Sequence, residues 1–286
     1  MPMPTFDERL HVLKEESTRL EGYLQALPPQ AWTTPSACSR WQVQDVVAHL
    51  VGVAEFYAGN IGRGLKGETS PPPGRAPAGE STGASSAESI AERSIAARKS
   101  LGDQLLVTFA ASGRQLNETL AGLKAQERTT PCYHPGGVVA AHNFIELRLK
   151  ELGVHEWDIR AGLEPTARMS PATFGAILAT ISESIASGSL RWAFWSGPAP
   201  ATPVRYRFQI TGPGPTKPDL VIDGKSVRME DAGPTPPQVT FRSDTETYIL
   251  LMYGRLDLEA ALASGRLRVE GDGQLARGFG QWFRGI

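Results

Sequence analysis

Apolar residues recur at helical spacing through the first two thirds of the chain and switch to strict alternation in the last third. Phe6, Leu10, Leu13, Leu20, Tyr23, Leu24 and Leu27 share a broad stripe, which predicts an amphipathic helix over residues 5–27 closed by Pro28 and Pro29. Ser39 and Gln42 fit a capping box. The helix they open, Trp41 to about Asn60, carries Val43, Val46, Val47, Leu50, Val51, Ala54 and Tyr57. A further helical region spans 87–124, with Ile90, Ile95, Leu101, Leu105, Phe109, Leu116 and Leu120 in its apolar series. A long helix is predicted from Val138 to Ala161, and Ser170-Pro171 read as the N-cap and first residue of another that reaches Ala186.

The period changes at Val204. Val204-Arg205-Tyr206-Arg207-Phe208-Gln209-Ile210 alternates as a half-buried strand does. Two short apolar runs flank Asp223-Gly224, a hairpin signal. Val239–Phe241 and Leu267–Val269 are further strands, with helices at Thr245–Tyr253, Leu258–Ala263 and Leu275–Phe283. The expected fold class is α plus α+β: a helical bundle over 1–191, a linker over 192–203 docked by Trp192 and Trp195, and a small α+β domain over 204–286. The Pro-rich stretch 64–86 reads as a loop lying over the bundle rather than a domain boundary.

Composition narrows the possibilities. The 286 residues suit two domains, and 41% apolar with 21% charged residues describes a globular protein. A net charge of −1 with dispersed Lys and Arg argues against a nucleic-acid partner or an anionic membrane surface. No run approaches the ~18 apolar residues of a membrane span, and the N-terminus has no secretion signal, so a cytoplasmic location is expected. Cys38 and Cys132 lack neighbours at metal-like spacing and read as packing residues of a protein in a reducing compartment.

Candidate chemistry centres on Glu151-Leu152-Gly153-Val154-His155-Glu156-Trp157-Asp158. Glu151 and His155 are spaced to share a helix face, one turn apart, where they could hold a divalent metal given a third ligand. Asp158 lies near the same face, where it could orient the imidazole. His142 and Glu146 make a second such pair on the same predicted helix. At about 100° per residue, His142 sits roughly 180° around the axis from Glu151. Only one pair can face the bundle interior, and hydrophobicity does not choose between them. His49, on the border of its helix's apolar face, could complete either. His11 reads as a surface residue and His134 as a loop residue.

Two runs resemble the DinB-like metalloenzymes. Trp41-Gln42-Val43-Gln44-Asp45-Val46-Val47-Ala48-His49-Leu50 looks like their second-helix motif. Arg148-Leu149-Lys150-Glu151-Leu152-Gly153-Val154-His155-Glu156-Trp157-Asp158 resembles the fourth-helix motif of the branch that includes mycothiol-dependent maleylpyruvate isomerase. The last part of the chain is similar to the small sterol-carrier-type domain of that branch. The resemblance implies a DinB-like four-helix bundle with His49, Glu151 and His155 as ligands of one divalent metal, usually zinc. It leaves His142 and Glu146 as a surface or packing pair. Gly153 departs from the pattern, at a cost of about 1 kcal/mol against alanine in a helix.

The resemblance further implies that the metal activates mycothiol as a thiolate that attacks an electrophilic small molecule. The leading expectation is a mycothiol S-transferase. The alternative within enzymes is maleylpyruvate isomerase, in which the thiol adds, the carbon–carbon bond rotates and the thiol leaves. A third expectation, from a different class, is a non-enzymatic carrier of apolar ligands. Arg255, after Gly254 where relatives also carry a Gly-Arg pair, is a candidate for gripping an anionic substrate.

Overall fold

The computed structural model describes residues 5–77, 83–187, 199–212, 217–224 and 226–283. They fall into two compact units, one of Met1–Ser81 and Ser85–Ile177 and the other chiefly Leu178–Ile286. The predicted docking of Trp192 and Trp195 lies outside the described residues.

In the first unit α1 (Phe6–Gln25) starts at Thr5, whose hydroxyl accepts from the Glu8 amide while Glu8 accepts from the Thr5 amide. α2 (Val43–Gly64) begins later than predicted, and Ser39 is not its cap. An isolated bridge between Pro35 and Gln42 keeps the chain extended through the buried Trp41, and Asp45 Oδ2 accepts from the Gln42 amide at 3.0 Å. The helical region 87–124 divides into α3 (Gly83–Leu101) and α4 (Leu105–Ala121) at Gly102, whose φ of +49° favours glycine.

The predicted Val138–Ala161 helix is shorter: α5 runs Phe144–Ala161. The preceding residues form a two-stranded ribbon, β1 (Pro131–Cys132) with β2 (Val139–Ala140), followed by a 3₁₀ turn at Ala141–Asn143. The Ala141 and His142 amides are drawn back to the carbonyls of Thr130 and Arg128, both at 2.9 Å, so this stretch cannot enter the helix. Ser170 does not cap through its side chain either. Its hydroxyl donates to Glu16 Oε1 at 3.0 Å, and α6 (Phe174–Ser187) follows a 3₁₀ turn at Pro171–Thr173.

α1 and α2 each pack against both α4 and α5, which makes the four-helix bundle. Leu13, Leu20 and Leu24 meet Val46, Val47, Leu50, Leu116, Leu120, Leu149 and Leu152 in its core. α5 is enclosed around most of its circumference, charged residues included: Arg148, Lys150, His155, Glu156 and Asp158 are all buried. Glu156 is held by Arg19, which also grips Glu16, and by Arg160 at 2.9 Å.

The second unit is a five-stranded sheet in the order β5-β4-β3-β6-β7, formed by β3 (Val204–Thr211), β4 (Pro218–Asp223), β5 (Ser226–Asp231), β6 (Val239–Asp244) and β7 (Leu267–Gly271). Only the β3–β6 pair is parallel. Tyr206 and Phe208 of β3 pack with Phe241 and Phe279 beneath α7 (Thr245–Met252) and α9 (Gly273–Gly278). α8 (Leu258–Ala263) precedes β7. The predicted last helix, Leu275–Phe283, is shorter: α9 gives way to a 3₁₀ turn at Phe279–Gln281. Among the described residues no helix is long and apolar enough to cross a membrane.

Gly153, the departure noted in the α5 motif, is required by close approach. A Cβ there would lie 2.4 Å from Thr173 Oγ1 and 2.7 Å from Thr173 Cβ. Thr173 is fully buried and its hydroxyl donates to the Ser170 carbonyl at 2.8 Å, so it cannot yield freely. Gly153→Ala therefore gains about 1 kcal/mol of helix propensity against an overpacking cost of about 1–3 kcal/mol. A lowered midpoint in thermal denaturation is the expected result; a raised one would mean that the turn after Ser170 is free to move.

Candidate metal centre

α2 packs directly on α5, and this contact brings together side chains far apart in sequence. His49 Nε2 lies 3.1 Å from Glu151 Oε2, and His155 Nε2 lies 3.4 Å from the same oxygen. The other oxygen, Oε1, pairs with Lys150 Nζ at 2.8 Å. One carboxylate is thus divided, half held by an ammonium and half facing two imidazoles. The rings of His49 and His155 are 4.7 Å apart, centre to centre, at 73° to each other. Trp41 stands beside both, at 5.0 Å from His49 and 5.9 Å from His155.

His155 is fixed from behind. Its Nδ1 lies 2.9 Å from Asp158 Oδ2, and the Cys38 thiol donates to the same oxygen at 3.1 Å. With Asp158 accepting at Nδ1, Nε2 is the ring nitrogen that remains to face Glu151. Burial pushes the His49 imidazole below its usual range. Burial also opposes the charge on His155, but its bonds to Asp158, Cys38 and Glu151 outweigh that and hold it well above its usual range. Glu151 is held well below the carboxylate range: burial acts the other way, but the Lys150 charge and the bonds from His155 and His49 prevail.

Ligand atoms of His49, Glu151 and His155 all lie within 4.8 Å of one another. Two imidazole nitrogens and one carboxylate oxygen are donors that suit a divalent ion of the zinc type. Cys38, His155 and Asp158 form a second group of the same tightness, on the Nδ1 side of the ring. In the first set His155 would offer Nε2 while its Nδ1 keeps Asp158 as an outer hydrogen-bond partner, the usual arrangement of a metal-bound histidine, so the first set is the better fit.

The competing pair is taken apart by the fold. His142 precedes α5, its Nδ1 2.8 Å from the Arg128 carbonyl, while Glu146 pairs with Arg9 at 2.7 Å. His11 is exposed and pairs with Glu15, as expected for a surface residue. His134 comes from the ribbon loop and stacks near Tyr57 and Phe144. Burial, with the Lys150 charge, pushes it down to about 3, so it is neutral. Arg255 belongs to the second unit, where its Nη1 donates to the Tyr253 carbonyl at 3.2 Å. Nothing in the residue pattern pointed to Lys150 or Cys38 as parts of this centre. Trp41 had a faint one, an aromatic side chain just before the first turn of α2.

Residues 13–160 match the family model described as the mycothiol maleylpyruvate isomerase N-terminal domain, and residues 199–284 match that of the SCP-2 sterol transfer family. The crystal structure of the mycothiol-dependent maleylpyruvate isomerase is similar over 93% of this chain and 93% of that one, with a TM-score of 0.62 at 14% identity. A histidine-to-alanine variant of that enzyme gives a TM-score of 0.63 with the same coverage and identity. At that identity the likeness is one of fold. No curated protein sequence matches the chain. His49, Glu151 and His155 all fall inside the first matched segment, which spans just over half of the residues. On that match, the chain belongs to the mycothiol maleylpyruvate isomerase N-terminal domain family.

Proposed function

We propose that this protein is a divalent-metal enzyme that activates a low-molecular-weight thiol, mycothiol, for attack on an electrophilic small molecule. The observation that carries the reading is the convergence of His49 Nε2 and His155 Nε2 on one oxygen of Glu151. When bound, the ion supplies positive charge that lowers the pKa of a thiol and favours its anion. The chain's own residues do the rest. His49, Glu151 and His155 hold the ion, and three protein ligands leave room for a further one. Lys150 occupies Glu151 Oε1, so the glutamate offers a single oxygen. Asp158 and Cys38 lock the His155 ring, and Trp41 packs beside both imidazoles.

The sulfur of the activated thiol forms a bond to an electrophilic carbon in either of two reactions. In S-transfer the carbon–sulfur bond is kept in the product, while a leaving group departs from that carbon with its bonding pair or, for addition to a double bond, the displaced π pair takes up a proton; this is the leading reading. In cis–trans isomerisation the addition removes the double bond, the remaining single bond rotates, and sulfur leaves as the double bond re-forms. Family membership supports this second reading.

Zinc-loaded protein supplied with mycothiol and maleylpyruvate separates them. Conversion to the trans isomer identifies the isomerase. A stable mycothiol adduct of another electrophile, detected by mass spectrometry without isomerisation, identifies the transferase. A protein that takes up no zinc and carries lipid instead would contradict both, and would favour the carrier role that the 199–284 match suggests. Asp158→Asn tests the support of His155. Zinc affinity should fall about 10–100-fold in competition with a chelating dye, and an unchanged affinity would detach Asp158 from the centre.

A further inference from the structure

One imidazole outside the metal set, that of His134, is held in a single orientation by its own loop. The Gly136 N–H donates to the ring Nδ1 at 3.1 Å, and the Gly137 N–H donates to the His134 carbonyl at 2.9 Å. Gly137 does so at a φ of +145°, a conformation that glycine allows. Tyr133, the residue before, is buried, and its hydroxyl donates to the Ala76 carbonyl at 2.6 Å. With Nδ1 accepting and the ring neutral, the imidazole proton sits on Nε2. The residue is half-buried, and among the described residues no protein acceptor meets that N–H.

The loop lies across the two helix faces that carry the metal set. Phe56 follows His49 by seven residues on α2, and Phe144 precedes Glu151 by seven on α5. Each pair therefore shares a helix face, two turns or about 10 Å apart. Phe56 packs on Tyr133 at 6.2 Å between ring centres, and Phe144 on His134 at 6.4 Å. The charges of Lys150 and Glu151 both act on His134. His134 and the convergent set thus stand at two ends of one stretch between α2 and α5, spaced for a single small molecule.

We propose that His134 is a further catalytic residue, whose Nε2–H donates to the carbonyl oxygen of an unsaturated electrophile as the thiol sulfur adds to it. This deepens the proposed function, on which it rests. As the sulfur–carbon bond forms, the π pair of the double bond shifts through the conjugated carbonyl and leaves a negative oxygen. In a transfer the neighbouring carbon then takes a proton from water; in an isomerisation the pair returns as sulfur departs. The ring keeps its proton throughout. A neutral donor suits this oxygen, because it meets charge that exists only once addition has begun. It also adds no further cation beside the Lys150 ammonium.

The test compares mycothiol addition to cyclohexenone, a neutral enone, with alkylation of mycothiol by benzyl chloride, where chloride carries the bonding pair away and no oxygen gains charge. His134→Gln keeps an N–H at the place of Nε2, whereas His134→Asn keeps only an acceptor for the Gly136 amide. In zinc-loaded protein the ratio of enone to chloride turnover should fall about 100–1000-fold in the Asn variant, through kcat rather than KM, and should be largely retained in the Gln variant. A loop-fixing role gives the reverse order, Asn active and Gln impaired. That order, an unchanged ratio in the Asn variant, or no enone addition by the wild type would overturn the assignment. Nitrogen NMR of metal-free, histidine-labelled protein should show His134 as the neutral Nε2–H tautomer, and a proton on Nδ1 would overturn it too. The same rates taken without zinc separate the two claims: the Gln-over-Asn order in a zinc-independent reaction keeps His134 and removes the metal reading.

Discussion

A single carboxylate oxygen, Glu151 Oε2, lies within reach of two imidazoles from different helices, and the first unit is built to keep it there. Bringing two histidines and a glutamate out of water is costly unless each finds a partner. Lys150 takes the other oxygen of the carboxylate, Asp158 takes the far nitrogen of His155, and Cys38 completes Asp158. The charges of this centre are balanced locally, and the ligand atoms remain directed at one another.

That balance needs α5 to be fixed in both position and rotation. Its enclosure supplies the position, and its second ionic cluster, Glu156 with Arg19 and Arg160, supplies the rotation. Arg19 reaches from α1, so the cluster ties a third helix to the pair that carries His49, Glu151 and His155. Gly153 lets the turn at Pro171–Thr173 come within van der Waals distance of α5 between Glu151 and His155. A residue that weakens an isolated helix here permits the packing that holds the helix still.

The bundle and the α+β unit were legible because their apolar periods differ, and most element cores fell where periodicity put them. The errors lay at ends, where a polar side chain chose a tertiary partner over its local one. Ser170 bonds Glu16 instead of capping, and the His142 amide joins the ribbon instead of α5. The choice between Glu151–His155 and His142–Glu146 was closed to periodicity because α5 has no exposed polar face to contrast with a buried one. Resemblance pointed to the first pair, and in the fold that pair meets His49 while the second is separated. Lys150 was invisible for a plainer reason: a basic residue beside a glutamate on a helix looks like surface until the helix is seen to be enclosed.

X-ray absorption at the zinc edge of the thiol-free, zinc-loaded protein tests the central claim most directly. Ligation by His49, Glu151 and His155 requires nitrogen and oxygen neighbours at about 2.0–2.1 Å, two of them imidazoles, and no sulfur. A sulfur neighbour at about 2.3 Å would put the ion with Cys38, His155 and Asp158 and contradict the account.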